Sequence, residues 1–213
     1  MSSTEATGAT LTRLDDATRS LVRLSAVLAG GDEDAVRAEL QLSAKTTSHE
    51  WIEELLLQTY LFAGFPRALN AMREWRRLAG VAPPREEVAL DLRTLRTLGE
   101  ETCARVYGTM YERLRVNIRA LHPLLDDWMI VEGYGKVLSR PGLDLPRREL
   151  CIVAACAATG QDRQLQSHMH GARNVGVTEK AVMEMLESLR GVIPDKSLSR
   201  TLRLWDRIRN DIH

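Results

Sequence analysis

The feature that most constrains this chain is a pattern of helices and breaks that occurs twice, about 129 residues apart. Each half predicts a helix, a glycine break, a second helix, a capped turn, a third helix, a break near proline and a fourth helix. In this alignment Leu21 falls on Leu150 and Gly31 on Gly160. No segment has a convincing strand pattern, so we predict an all-α protein. Repeats of this kind often fold as two pseudo-symmetric units that share a core.

Breaks in the pattern divide the chain into four predicted parts. Small polar residues predict a flexible tail over residues 1–12. The first repeat is predicted over residues 13–80 and the second over residues 103–213. Between them, residues 81–102 are predicted to form a linker and a charged helix, from Arg85 to Leu98, that Gly99 ends. Two further helices are predicted, at about residues 100–121 and 123–138.

Composition excludes several classes of function. Lys+Arg and Asp+Glu both number 29, and the arginines are scattered among acids, which argues against a nucleic-acid partner. No run reaches the roughly 18 consecutive apolar residues of a membrane span. The chain has three cysteines and no apolar leader, so we predict a cytoplasmic protein with no membrane partner.

The candidate chemistry lies in the second repeat, on two consecutive helices. Glu149 stands at the head of the apolar run CIVAACAA, and its helical stripe predicts that it points inward. His168 lies 19 residues later on the antiparallel partner, about one helical turn out of register, so contact is feasible. The matching positions in the first repeat are Ser20 and Glu39, so the pair occurs once. An acid–base role and a structural role both stay open for this pair.

Neither a metal site nor a disulfide is predicted. His168 and His170 diverge by about 200° on a helix and cannot share an ion, and no third ligand has suitable spacing. Cys151 and Cys156 point about 140° apart on one helix, so they cannot pair with each other. Cysteines on buried helices are usually inert. Cys156 nevertheless shares the stripe of Glu149, so its reactivity stays open.

Several segments together resemble the carboxymuconolactone decarboxylase family, part of the alkylhydroperoxidase D-like superfamily. The resemblance is carried by Arg140 to Asp144 with Arg148 to Leu150, by Gln164 to Ala172, and by Asn174 to Thr178, and in the first repeat by Tyr60 to Asn70. It implies an all-helical fold built from two repeats and a symmetric homo-oligomer, such as a trimer. It also implies a site between helices at a subunit or repeat interface.

The resemblance further implies roles for individual residues. In the peroxidase branch of the superfamily, a glutamate and a histidine relay protons to a Cys-x-x-Cys pair. Glu149 and His168 match the relay, but Gln161 and Gln164 stand at the cysteine positions, so the decarboxylase branch matches better. His170 stands where many of those relatives have arginine.

The leading hypothesis is a cofactor-free carboxy-lyase that acts on a small, anionic, lactone-type substrate. His168, oriented by Glu149, would protonate the carbanion left by loss of CO2. Arg140 and His170 would hold the carboxylates of the substrate. One alternative is a peroxiredoxin-like antioxidant enzyme that uses Cys156. Another is a non-catalytic helical module for binding or assembly.

Overall fold

A computed structural model describes residues 10–80, 82–83 and 90–210, and these are almost entirely helical. Within these ranges only isolated β-bridges occur and no strand forms, which confirms the predicted all-α class. The helices are α1 (Asp16–Gly30), α2 (Glu33–Ser43), α3 (His49–Ala79), α4 (Leu92–Tyr107), α5 (Tyr111–Leu121), α6 (Pro123–Trp128), α7 (Leu145–Thr159), α8 (Asp162–Asn174), α9 (Glu179–Ser188) and α10 (Asp195–Asn210).

The repeated pattern is visible in the helix boundaries. The starts of α7, α8 and α9 follow those of α1, α2 and α3 by about 129 residues. In the first unit α3 is a single element with a break at Gly64, whose φ of 83° is not helical. In the second unit the corresponding break separates α9 from α10. The fold is therefore two pseudo-symmetric helical repeats, as predicted.

Side-chain caps set the helix starts in both units. Asp15 accepts a hydrogen bond from the backbone N–H of Thr18, and Asp144 does the same for Arg147. Such a cap satisfies one of the N–H groups left without a helical partner. Gly160 ends α7 in the left-handed region, with φ of 73°, which turns the chain directly into α8.

The two units meet along α1 and α7. The hydroxyl of Ser25 in α1 donates a 2.6 Å hydrogen bond to the carbonyl oxygen of Cys151 in α7. Residues from both helices lie in both apolar clusters of the core. Helix α7 is buried over nearly its whole length, which the run CIVAACAA predicted.

The predicted helix stop at Gly99 was wrong, because α4 continues through it to Tyr107. A Cβ atom at Gly99 would overlap the carbonyl oxygen of Ile130, and one at Gly135 would overlap that of Leu95. Glycine here allows two helical backbones to approach closely. In the sequence, a glycine with this role cannot be distinguished from one that ends a helix. The first part of the predicted linker helix, residues 85–89, lies outside the described residues.

Two other predicted helices are interrupted. The helix predicted over residues 100–121 is divided by a 3₁₀ turn (Gly108–Met110), where Gly108 has φ of 52°. The helix predicted over residues 123–138 changes after α6 into a π-helical segment (Met129–Leu138). This segment packs against α4. Because π-helical turns are uncommon, the pattern of apolar residues in the sequence did not predict one here.

The predicted tail, residues 1–12, lies mostly outside the described residues. Leu11, however, is tied to the turn after α8. Its N–H donates to the carbonyl oxygen of Gly176 at 2.9 Å, and its own carbonyl oxygen accepts from Thr178 at 3.0 Å. Among the described helices, none combines the length and the apolar character that crossing a membrane requires.

Candidate acid–base site

The candidate site is built on the antiparallel hairpin of α7 and α8. Glu149 lies near the start of α7, and His168 lies in the second half of α8, on the face turned toward α7. The turn at Gly160 fixes the register between the two helices. Because the hairpin is short and tightly closed, local sequence alone brings these two positions to within about one helical turn of each other.

The two side chains are in direct contact inside the protein. Oε2 of Glu149 lies 2.8 Å from Nδ1 of His168, and the residues are 0% and 6% exposed. The predicted contact is therefore present. With the carboxylate accepting the Nδ1 hydrogen, Nε2 is the acceptor nitrogen of the neutral ring. In the described part of the chain no residue forms a hydrogen bond with Nε2.

Gly171 leaves the space that the carboxylate occupies. A Cβ atom at this position would lie 2.6 Å from Oε2 of Glu149 and 2.7 Å from Cγ1 of Val106. Any larger residue would displace one of these groups. Sequence reasoning assigned no role to Gly171, although a glycine inside an amphipathic helix, one turn after a candidate histidine, is a usable signal.

Phe62 forms one wall of the site and comes from the other repeat. Its ring meets the imidazole of His168 edge-on, with the ring centres 5.7 Å apart and the planes at 85°. The contact joins α3 of the first unit to α8 of the second. No feature of the sequence around Phe62 indicates it, because the contact depends on how the two repeats pack.

The second oxygen of Glu149 lacks a protein partner. Oε1 is buried and forms no hydrogen bond with any described residue. Most buried polar atoms are paired, and an unpaired one is typical of a functional site or of a bound water. The carboxylate thus retains a free acceptor position besides the one that binds His168.

The other ionisable groups near the carboxylate are held in their neutral forms. Burial, with a smaller contribution from the charge of Glu149, raises the pKa of the thiols of Cys103 and Cys156 to about 12. Burial also raises the pKa of Tyr107 to about 12, and that of Tyr134 well above its usual value. At neutral pH the surroundings therefore offer hydroxyl and thiol groups but no thiolate.

Arg140 takes part in a buried ion network that does not include the pair. Its guanidinium binds the carboxylate of Glu54, at 2.8 Å from Nη2, and Nη2 of Arg148 binds the same carboxylate at 2.7 Å. Arg148 is 0% exposed and also donates to the carbonyl oxygens of Leu143 and Arg140. The single carboxylate of Glu54 thus binds both guanidinium groups inside the protein, and the substrate contact of Arg140 stays a prediction.

His170 points away from His168, as their spacing on α8 requires. It is exposed and lines a cleft between α5 and α8, whereas Arg140 lines a different cavity. The structure therefore brings Glu149 and His168 together and leaves the other two predicted residues in separate places. No group of three or more potential metal ligands occurs among the described residues.

The first repeat has no equivalent pair. The hydroxyl of Ser20, at the position of Glu149, contacts that of Ser43 at 3.0 Å. Glu39, at the position of His168, is bound by Nε of Arg23 at 3.0 Å. Within the described residues, each of these positions has a partner of its own and the carboxylate–imidazole contact occurs once.

Across the described residues, the all-α repeat fold and its one buried carboxylate–imidazole pair define a helical protein with a candidate acid–base site. Residues 127–191, which include both members of the pair, match the model of the carboxymuconolactone decarboxylase family. This segment is therefore similar to that family, which confirms the predicted resemblance over this part of the chain.

A relative is known from fission yeast. The chain is 30% identical over 138 residues to "Peroxisomal protein 2" of Schizosaccharomyces pombe, a match that covers 62% of this chain and 63% of the relative. The match thus spans less than two thirds of the length of that protein.

Proposed function

We propose that the protein is a cofactor-free acid–base enzyme of the carboxymuconolactone decarboxylase type, with His168 as the catalytic acid and Glu149 as the residue that orients it. The observation that carries this proposal is the buried 2.8 Å contact between the two side chains, with Nε2 left open to a reactant. The family match over the same residues supports the reaction class.

The proposed substrate is a small lactone-type carboxylate. When its C–C bond to the carboxylate breaks, CO2 leaves and the electron pair stays on carbon as a carbanion or enolate. The imidazolium of His168 gives its Nε2 proton to that carbon and becomes neutral. Glu149 holds the Nδ1 hydrogen throughout, so the ring keeps one orientation and one tautomer. A proton from solvent then restores the imidazolium.

The surroundings of the pair support this assignment. Phe62 and the buried face of α7 exclude bulk water, and a dry site strengthens the interaction between the carboxylate and the imidazolium. Phe62 belongs to the first repeat, so the site lies between the two repeats, where the family resemblance also implies it.

The test is CO2 release from carboxymuconolactone and related carboxylated lactones. His168→Gln is expected to lower turnover by about 10²- to 10⁴-fold, the usual contribution of a general acid. His170→Gln is the matched control, since it removes an imidazole from the opposite face of the same helix. Turnover that survives His168→Gln unchanged would show that the assignment is wrong.

The two alternative functions predict different results. A peroxidase requires a thiolate, and burial keeps Cys156 protonated, so we expect no thiol-dependent consumption of peroxide. A non-catalytic module would turn over none of the lactones, and His168→Gln would then alter only stability.

We also propose that the protein assembles into a symmetric homo-oligomer such as a trimer. Helix α5 buries none of its residues within the chain, and α6 exposes large apolar side chains beside it, with Trp128 54% exposed. Exposed apolar surface of this extent commonly marks a protein contact. Sedimentation equilibrium of the wild type and of Trp128→Gln tests the proposal, and a wild-type monomer would contradict it.

The proposed location is the cytoplasm, since all three cysteines are free and suit a reducing compartment. The name of the yeast relative places that protein in peroxisomes. Imaging of the tagged full-length chain beside a peroxisomal marker distinguishes the two locations.

A further inference from the structure

A second site is suggested by the cleft between α5 and α8, on the side of α8 that faces away from His168. Its volume is about 750 Å³, the largest of the cavities in the described part of the chain that we compared. Residues from the end of α4, the 3₁₀ turn, α5 and α8 line it. Neither Glu149 nor His168 is among them, so the cleft is distinct from the acid–base pair.

The charge on the walls of the cleft has a single sign. Arg113 of α5 and Arg163 of α8 line it together with His170, and within the described residues no Asp or Glu does. Three other cavities, of about 480, 580 and 420 Å³, each have at least one carboxylate among their lining residues. In a chain whose formal net charge is zero, a cavity lined by cations alone favours an anion.

The lining of the cleft is partly apolar. Val106, Met110 and Leu114 contribute apolar side chains, and Tyr107 lines the cleft as well. Because burial raises the pKa of Tyr107 to about 12, its hydroxyl stays protonated and can donate a hydrogen bond. A cavity with apolar lining residues and a few polar groups is the usual form of a site for a small organic molecule.

From this arrangement we infer that the cleft between α5 and α8 binds a free organic anion with an apolar body, such as a medium-chain carboxylate. The carboxylate lies between Arg113 and Arg163, which can bind it as a planar fork, and the chain lies over Met110 and Leu114. This site is independent of the proposed reaction at His168 and would remain if that proposal failed.

The experiment measures displacement of anilinonaphthalene sulfonate from the full-length protein by decanoate and by decanol, which differ mainly in charge. Decanoate is expected to compete at least about tenfold better, since hydrogen bonds from arginine to a carboxylate are stronger than those to a hydroxyl group. The double variant Arg113→Gln/Arg163→Gln should remove that advantage. Arg203→Gln/Arg207→Gln, which removes two exposed arginines from α10, should retain it.

Two further measurements keep the inference testable if the double variant folds poorly. Added salt should weaken binding of decanoate but not of decanol to the wild type. Decanoate should also shift the ¹³C-methyl resonance of Met110, which Met110→Leu identifies by its loss. Equal competition by the two probes, or an unmoved Met110 signal, would overturn the inference. So would a loss of oligomers in the double variant with unchanged decanoate affinity, because a second copy would then be the occupant of the cleft.

Discussion

Oε2 of Glu149 and Nδ1 of His168 lie 2.8 Å apart in the core, although 19 residues separate them along the chain. The contact is a consequence of the closed hairpin of α7 and α8 and of the space left at Gly171. It is the only part of the predicted four-residue site that the structure assembles, since Arg140 binds Glu54 and His170 lines another cleft. This pair, the ion network at Glu54, the buried cysteines and the close approach at Gly99 lead to five predictions.

Gly171→Ala should disturb the pair without replacing either of its members. The new methyl group would lie 2.6 Å from Oε2 of Glu149, so the carboxylate or α8 must move. We expect a loss of about 1–3 kcal/mol in the free energy of unfolding, as for other overpacked sites. Denaturant unfolding measures it, and Gly133→Ala is the control, because a Cβ atom there meets nothing within 4 Å. Equal stability of the two variants would contradict the prediction.

Glu54→Gln should be among the most destabilising single substitutions. It leaves the guanidinium of Arg148, which is fully buried, without its carboxylate. Breaking a buried ion pair from one side costs about 3–5 kcal/mol. Glu132→Gln removes the exposed pair with Lys136 and should cost less than about 1 kcal/mol. If the two costs were similar, the network around Arg148 would not be a stabilising element.

The same carboxylate predicts how stability depends on pH. Burial raises the pKa of Glu54, but the hydrogen bonds from Arg140 and Arg148 lower it by more, so the net shift is downward. A group whose pKa is depressed on folding contributes stability above its unfolded pKa, about 4.3 for glutamate, and that contribution is lost as pH falls further. Thermal unfolding between about pH 5 and 3 should therefore show a smaller decrease for Glu54→Gln than for the wild type. A parallel decrease in both proteins would show that Glu54 is not responsible.

The cysteines should be unreactive until the protein unfolds. Burial raises the pKa of Cys103, Cys151 and Cys156 to about 12, so at pH 8 only about one thiol in ten thousand is ionised. A chromogenic disulfide reagent should label none of them rapidly in the native state and all three in guanidinium chloride. Fast labelling of Cys156 in the native protein would restore the peroxidase hypothesis.

Gly99→Ala should separate α4 from the π-helical segment. Its methyl group would overlap the carbonyl oxygen of Ile130, which is backbone and cannot rotate away. In an ordinary helix interior, glycine to alanine is stabilising by about 1 kcal/mol. Here we expect the opposite sign, with a loss of at least about 1–3 kcal/mol. Denaturant unfolding decides the sign, and a stabilised variant would show that the close approach is not required.

Much of this protein was determined by its sequence alone, and those parts depend on short-range physics. The 3.6-residue period, the caps at Asp15 and Asp144 and the break at Gly160 specify helices and a hairpin. The hairpin by itself brings Glu149 to within about one helical turn of His168. The repeat was recognisable because helix breaks and caps occur at matching positions in both units. The domain boundaries assigned to them stay a prediction.

Only the tertiary structure decided which distant surfaces meet. Phe62 contacts His168 across the two repeats, and Glu54 binds both Arg140 and Arg148. Gly99 lies against the backbone of Ile130 rather than ending a helix. Each of these contacts joins residues far apart in the chain. Their geometry depends on how whole helices pack, and a local pattern of apolar and polar residues carries no record of that packing.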